Sequence, residues 1–213
     1  MGYKIGCGSQ KGGVGKSTMA RALGAAFAAS GWSVKIADLD TKQGTVTAWN
    51  QRRLRAGVAP DVPVQMFGNV ATAVSKAGDA DLLIFDGAPH ASADTVEIAK
   101  ASDLMILPTG LALDDLEPTV TLANTLADKH GIPVERIVFA LCKTGTSPAE
   151  LDAARTYLGK TRFETLAGAI QQKPAFSRAM DAGLSVIETP YKAPREQALQ
   201  LISAAIAKFE TLI

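Results

Sequence analysis

Short apolar runs alternate with longer stretches of helical periodicity along this chain. Several of the short runs are apolar throughout, which is the pattern of strands that are covered on both faces. We predict strands at residues 4–8, 34–38, 64–67, 82–86, 104–108, 137–142 and 163–166. Residues 17–30 and 114–130 are predicted helices, and a glycine follows each of them. The alternation predicts an α/β fold, with a doubly wound, mostly parallel sheet and helices on both faces.

The size and composition of the chain favour one folded unit. At 213 residues it has the length of a single α/β domain, and we predict one domain over residues 1–213. Hydrophobic residues make up 47% and charged residues 20%, so disorder is not indicated. The net charge of +1 means that any contact with nucleic acid must come from a local patch. With no signal peptide and no apolar run of membrane-spanning length in the sequence, we expect a cytoplasmic protein.

A glycine-rich segment, SQKGGVGKST at residues 9–18, lies between a predicted strand and a predicted helix, which is the context of a phosphate-binding loop. Small residues with free φ let several backbone N–H groups converge on phosphate oxygens, and the helix N-terminus adds its dipole. Lys16 would bring a positive charge to the β and γ phosphates, and the Ser17 hydroxyl is positioned to bind Mg²⁺. A plain connecting turn is the alternative. The predicted nucleotide-binding residues are Lys11, Gly12, Gly13, Val14, Gly15, Lys16, Ser17 and Thr18.

One departure from the general phosphate loop is informative. Gln10 stands where the usual spacing has glycine, and Lys11 follows it. KGGVGKST resembles the deviant Walker A motif of the ParA/MinD ATPases, and the chain is most similar to the small ParA proteins of the ParF type. The resemblance implies hydrolysis of ATP with Mg²⁺ and a sandwich homodimer that forms with ATP. Within it, Lys11 would reach the partner's nucleotide, much as an arginine finger does.

A second similarity to this family lies at Asp38-Leu39-Asp40-Thr41-Lys42-Gln43, after the second predicted strand. The family has Asp-x-Asp-Pro-Gln here, whereas this chain has Thr41 and Lys42 in place of one proline. By resemblance, Asp40 positions the attacking water and Asp38 supports the metal ion. A helix cap or a solvated turn is the alternative for both carboxylates. The predicted catalytic residues are therefore Lys11, Lys16 and Asp40.

The apolar run at residues 82–86 ends in a carboxylate, Asp86. We expect Asp86 to hold Mg²⁺ directly or through water, so the predicted metal ligands are Ser17, Asp38 and Asp86. Gly87-Ala88-Pro89 resembles the second switch of the family, and His90 after it is either a sensor of phosphate or protons or an ordinary histidine. We expect ATP rather than GTP, because residues 142–145, Cys-Lys-Thr-Gly, lack the carboxylate that pairs with guanine.

Basic residues predominate in the C-terminal part of the chain, at Lys143, Lys160, Arg162, Lys173, Arg178, Lys192 and Arg195. Phosphate binding needs a basic patch, and the predicted DNA contacts are Lys173, Arg178, Lys192 and Arg195. Scattered, solvated surface residues are the alternative. The family resemblance implies non-specific binding to nucleoid DNA and a ParB-like partner that stimulates hydrolysis. It also implies partition or positioning of a plasmid, a chromosome region or other cargo.

Two rival functions share the phosphate loop. A membrane-associated positioning ATPase of the MinD kind needs a basic amphipathic tail, but residues 197–213 carry only Lys208 and Glu210, so we expect a helix packed on the sheet and no membrane binding. A metabolic enzyme of the dethiobiotin synthetase type has the same loop, and Lys11 argues against it. A second substrate pocket stays possible for that alternative.

Overall fold

A computed structural model describes residues 2–88 and 93–213. Within them the strands are β1 (Tyr3–Cys7), β2 (Val34–Asp38), β3 (Val64–Met66), β4 (Leu82–Asp86), β5 (Leu104–Thr109), β6 (Ile137–Thr144), β7 (Glu164–Thr165) and β8 (Ile170–Gln171). The helices are α1 (Lys16–Ala29), α2 (Thr45–Arg55), α3 (Val70–Ser75), α4 (Ala93–Ala101), α5 (Leu113–His130), α6 (Pro148–Leu158), α7 (Pro174–Asp181) and α8 (Lys192–Glu210). Short 3₁₀ helices occur at Val134–Arg136 and Val186–Glu188.

The described strands form one parallel sheet in the order β3-β2-β4-β1-β5-β6-β7, and β8 pairs with β6. Apolar side chains fill both of its faces, because successive residues of a strand point to opposite sides. In β4, Leu82 and Ile84 join the core cluster beneath α1, α2, α7 and α8. Leu83 and Phe85 join the cluster beneath α3, α4, α5 and α6. The predicted doubly wound α/β fold is confirmed.

The strands follow the sequence pattern closely, with differences at the C-terminal edge of the sheet. All seven predicted strands are present, although β6 extends to Thr144 and β7 shortens to Glu164–Thr165. The two-residue strand β8 was not predicted, because two residues carry no periodicity. The predicted helices at 17–30 and 114–130 correspond to α1 and α5.

The last helix, α8, begins five residues before the predicted segment 197–213 and supplies Leu201, Ile202 and Phe209 to the core. Its buried face therefore fits the expectation of a helix packed on the body of the protein. In the part of the chain that the structure describes, no helix is long and apolar enough to cross a membrane.

The carboxyl ends of β1, β2 and β4 meet at one edge of the sheet. Cys7 is the register partner of Asp86, and Asp86 is in turn the partner of Asp38. The glycine-rich loop leaves β1 at this level, so the strand order alone brings the loop beside both carboxylates. In open parallel sheets, ligands bind outside the carboxyl ends of the strands.

Candidate functional site

The glycine-rich loop turns sharply into α1. Gly13 has φ 78° and Gly15 has φ 116°, in the left-handed region that favours glycine. Gly15 is also the residue that caps α1, and a Cβ atom added there would lie 2.7 Å from the Cβ of Cys142 in β6. Both backbone conformation and space therefore require glycine at this position.

The Lys16 side chain folds back into the loop. Its Nζ donates hydrogen bonds to Ser9 Oγ at 3.1 Å and to the Lys11 carbonyl at 3.3 Å. Ser9 Oγ donates to the same carbonyl at 2.6 Å. Burial lowers the pKa of Lys16, while the negative charges of Asp86 and Asp40 oppose that shift. Two oxygen acceptors thus hold a buried ammonium group in the glycine-rich loop, and this positive charge suits a polyanionic ligand.

Ser17 and Asp86 meet at the entrance of α1. Ser17 Oγ donates to Asp86 Oδ2 at 2.7 Å, whereas the buried Asp86 Oδ1 has no hydrogen-bond partner among the described residues. Burial raises the pKa of Asp86 to about 7, against the hydrogen bond from Ser17. An unpaired carboxylate oxygen beside a hydroxyl is the kind of oxygen pair that Mg²⁺ binds, so the residues fit this ion.

Asp38 and Asp40 have different surroundings. Asp38 is fully buried, and its Oδ2 accepts hydrogen bonds from Thr47 N at 3.0 Å and Thr47 Oγ1 at 2.8 Å. Its Oδ1 accepts a hydrogen bond from Asp40 N at 3.2 Å. Through the two bonds from Thr47, Asp38 connects the end of β2 to α2. The carboxylate of Asp40 accepts only one hydrogen bond from the described residues, from Gln43 N at 3.1 Å. The capping alternative thus describes Asp38 well, and the catalytic role of Asp40 stays a prediction.

A cavity of about 210 Å³ joins these groups. Its lining includes Gly12, Gly13, Gly15, Lys16, Ser17 and Thr18 from the loop, together with Asp40 and Gly87. Lys11 and Val14 belong to the loop but do not line this cavity, and neither do Asp38 and Asp86. Gly87 stands where the second switch was predicted, whereas Pro89 and His90 lie outside the described residues.

Sequence reasoning missed two cations at this cavity. Arg21 lines it from α1, and the signal was its position one helical turn after Ser17. Lys143 lines it from the end of β6, with φ 52°, and is the one described residue other than glycine with a positive φ. Strained backbone of this kind is concentrated at functional sites.

A second cavity, of about 720 Å³, shares Lys143 with the first. Gln172 N donates to the Thr144 carbonyl at 2.9 Å, which brings the segment after β8 to the end of β6. Lys173 and Arg178 line this cavity. Two of the predicted DNA contacts therefore lie close to the phosphate loop.

The other two predicted DNA contacts lie at the start of α8. Lys192 Nζ is 3.9 Å from Glu196 Oε1, and Arg195 donates to the Thr189 carbonyl at 3.5 Å. DNA binding by any of the four stays a prediction.

Lys11 points toward α5 rather than into the cavity. Its Nζ lies 3.0 Å from Asp115 Oδ1 in the first turn of that helix. The two side chains are 43% and 28% exposed, so water screens this ion pair. The lysine that distinguishes the loop is therefore held by its own chain in the described monomer.

Solved structures of similar fold span several functions. The cell division ATPase MinD of Pyrococcus furiosus is 20% identical, with all of both chains covered and a TM-score of 0.74. A protein described as a plasmid partition protein of Borrelia burgdorferi B31, bound to AMPPNP, is 17% identical, with all of both chains covered and a TM-score of 0.69. Cobyrinic acid a,c-diamide synthase of Mycobacterium smegmatis, with bound ADP and magnesium, is 18% identical over 99% of this chain and 96% of that one, with a TM-score of 0.65.

At these identities the similarities establish the fold. No curated protein sequence matches the chain significantly. The sequence model of the CobQ/CobB/MinD/ParA nucleotide-binding domain matches residues 5–186, which include the phosphate loop and the ends of β2 and β4. The chain therefore belongs to the CobQ/CobB/MinD/ParA family of nucleotide-binding domains.

Proposed function

We propose that this protein is an ATPase of the ParA/MinD kind, which binds ATP with Mg²⁺ in the cavity of the phosphate loop. The observation that carries the proposal is a buried Lys16 ammonium group close to a Ser17–Asp86 hydrogen bond, in which the second oxygen of Asp86 has no partner among the described residues. The first group suits the β and γ phosphates, and the second suits the metal ion. Gly12, Gly13 and Gly15 provide the surrounding backbone.

The metal and the base have separate places in this proposal. Ser17 and Asp86 would hold Mg²⁺, and Asp38 supports them indirectly by fixing the end of β2 to α2. When bound, the ion supplies positive charge to the phosphate oxygens. We assign the adenine to the second cavity, because that cavity shares Lys143 with the cavity of the phosphate loop.

Hydrolysis would use the loop after β2. Asp40 lines the cavity, and its carboxylate accepts only the Gln43 N–H among the described residues, so the other carboxylate oxygen is available to orient a water molecule. Lys16 would stabilise the charge that develops on the phosphate in the transition state. Together these groups support attack by water on the terminal phosphate.

Lys11 would act on the nucleotide of a partner copy. In the monomer it pairs with Asp115 at the surface of α5. A partly exposed ion pair contributes only about 1 kcal/mol or less, so opening it costs little compared with a new contact to a triphosphate. We therefore propose that ATP binding and dimerisation are linked through Lys11.

We infer that the biological role is partition or positioning of a large cargo on nucleoid DNA, with a ParB-like protein as the stimulating partner. Lys11 before the glycine pair supports this role over a metabolic one. The plasmid partition protein of Borrelia burgdorferi has the same fold, as does the cobyrinic acid synthase, so the fold alone favours neither.

Sedimentation velocity tests the proposal. The wild-type protein should be monomeric with Mg-ADP and dimeric with Mg-ATPγS. Lys16→Ala should lose nucleotide binding, whereas Lys11→Ala should bind ATPγS and stay monomeric. Lys129→Ala, at an exposed lysine in the last turn of α5, serves as a control and should dimerise normally. A Lys11→Ala protein that dimerises like the wild type would refute the role of Lys11 in the partner's site.

A further inference from the structure

Arg21 is a buried cation in the first turns of α1. Only 5% of the surface of Arg21 is exposed to solvent. One terminal nitrogen donates to the Thr45 carbonyl at 2.8 Å, and the other donates to Met180 Sδ at 3.4 Å. Its Nε is buried and has no hydrogen-bond partner among the described residues. The guanidinium group also lies 5.8 Å from the centre of the Trp49 ring.

The described residues offer Arg21 no counterion within 4 Å of its nitrogens. A carbonyl and a thioether accept its hydrogen bonds, and a thioether is a weak acceptor. Burial lowers the pKa of Arg21 to about 10, so the group stays charged at neutral pH. A buried charge without a partner is costly, and native proteins pair such charges or use them.

Arg53 provides an internal comparison, since it is buried beside the same Trp49 ring, at 5.4 Å. Its terminal nitrogens donate to both Glu188 oxygens, at 2.9 and 2.8 Å. Its Nε donates to the Pro60 carbonyl at 3.2 Å. Arg53 is thus fully paired, whereas the described part of the chain leaves Arg21 without a counterion. The difference between them is that Arg21 lines the cavity of the phosphate loop.

The position of Arg21 on α1 directs it toward the same ligand as the loop. Helical residues three and four apart share a face, so Arg21 follows both Ser17 and Thr18 by one turn. Both of these residues also line the cavity. A guanidinium group presents several donors in a planar fork that matches phosphate oxygens.

We propose that Arg21 binds the phosphate chain of the nucleotide, whose negative oxygens supply the counterion that the described residues do not provide for this guanidinium group. The proposal rests on the proposed nucleotide binding and adds a third cation, after Lys16 and Lys143, to the cavity. Arg21 also holds the carbonyl of Thr45, the first residue of α2. The bound phosphate chain and the segment that follows Asp40 are therefore connected through one side chain.

Calorimetric titration with Mg-ADP tests the contact. Since a hydrogen bond to a charged group contributes about 1.5–3 kcal/mol, Arg21→Gln should weaken binding by about tenfold to a hundredfold. Arg21→Lys keeps the charge and should lose less affinity. Wild-type affinity should also fall more steeply with salt than that of Arg21→Gln, because the variant lacks one of the charges that attract the phosphates.

Arg52→Gln is the matched control. Arg52 donates to the Met180 carbonyl at 3.4 Å, so it touches the same helix α7, but it does not line the cavity. This variant should bind Mg-ADP like the wild type. If Arg21 only packs α1 against α2 and α7, Arg21→Gln will melt at a lower temperature but keep the wild-type affinity and salt dependence. That result would overturn the proposal.

A measurement on the wild-type protein covers the case in which Arg21→Gln fails to fold. The ¹⁵N NMR signal of Arg21 Nε, assigned by its loss in Arg21→Lys, should shift on saturation with Mg-ADP. An unmoved signal at saturation would overturn the proposal. Failure of the wild-type protein to bind Mg-ADP at all would instead refute the proposed function on which it rests.

Discussion

Buried residues of both charges surround the phosphate loop. Lys16 and Arg21 are buried cations that line the cavity, whereas Asp38 and Asp86 are buried carboxylates at the ends of adjacent strands. A metal–triphosphate complex also carries both charges, a cation and negative phosphate oxygens. The fold itself thus holds charges that complement such a ligand, which lowers the cost of rearrangement on binding.

Asp40 is the residue for which a purely chemical effect is expected. Asp40→Ala should slow hydrolysis by about a hundredfold or more, because a water-positioning group is lost, and should leave ATP affinity nearly unchanged. The only hydrogen bond that its carboxylate accepts from the described residues is from Gln43 N, so the fold should tolerate the change. Single-turnover kinetics measures the effect.

Asp40→Asn separates the turn from the chemistry, because the amide oxygen can still accept the Gln43 hydrogen bond. This variant should hydrolyse ATP as slowly as Asp40→Ala. Wild-type turnover in Asp40→Ala would assign the water to another group, and Asp38 would be the next candidate.

At the scale of elements, the site depends on a close contact between α1 and β6. The left-handed conformation of Gly15 starts α1, and the Cys142 side chain fills the space where a Cβ atom would be. The loop therefore cannot move toward β6, and the N-terminus of α1 stays aimed at the cavity. The ends of β2 and β4 hold Asp38 and Asp86, whose positions must be fixed, while the loop after β2 holds Asp40, which is predicted to orient water.

Substitution of two glycines that flank α1 tests this contact. Gly15→Ala should destabilise the protein by about 2–4 kcal/mol, through a strained φ and overpacking against Cys142, and should abolish nucleotide binding. Gly31→Ala is the control, since Gly31 also has a positive φ, 87°, but nothing lies within 4 Å of an added Cβ. Gly31→Ala should lower the free energy of unfolding by only about 1 kcal/mol and leave nucleotide binding unchanged. Thermal unfolding and ADP titration measure both; normal ADP binding by Gly15→Ala would contradict the expectation.

The parts of the site that the sequence predicts are those that local pattern determines. An apolar strand followed by glycines and Lys-Ser fixes the loop, and parallel register then brings Asp86 beside Ser17. Helical spacing places Arg21 on the same face of α1 as Ser17, but its burial depends on how α2 and α7 pack against α1. The place of Lys143 at the cavity depends on how β6 packs beside the loop, which no spacing in the sequence reports. The same holds for the segment after β8, whose short strand has no periodicity.

At the scale of the whole molecule, basic residues are distributed unevenly. Lys208 pairs with Glu164 at 2.9 Å, and Arg162 contacts Asp128. Lys143, Lys173 and Arg178 line the cavity that we assign to the base. Lys192 is 81% exposed and only weakly paired, so it is the predicted DNA contact whose charge can be changed without touching the nucleotide site. A net charge of +1 makes such a local contribution decisive.

Binding to DNA and binding to membranes give opposite expectations for the ATP-bound protein. With ATP and Mg²⁺ it should bind duplex DNA of any sequence and should not bind anionic vesicles, because two weak patches act together only in a dimer. The logarithm of the affinity for DNA should fall linearly with the logarithm of the salt concentration, and each neutralised phosphate should contribute about 0.9 to the slope. Lys192→Glu should flatten that slope and leave ATP hydrolysis unchanged. Lys129 is an exposed lysine at the end of α5, and Lys129→Glu should change neither the slope nor hydrolysis. Filter binding and vesicle sedimentation decide between the surfaces. Pelleting of the wild-type protein with vesicles, or equal DNA binding without nucleotide, would refute the DNA-based role and leave the proposed ATPase activity standing, since the groups proposed to bind the phosphates and Mg²⁺ are none of the four predicted DNA contacts.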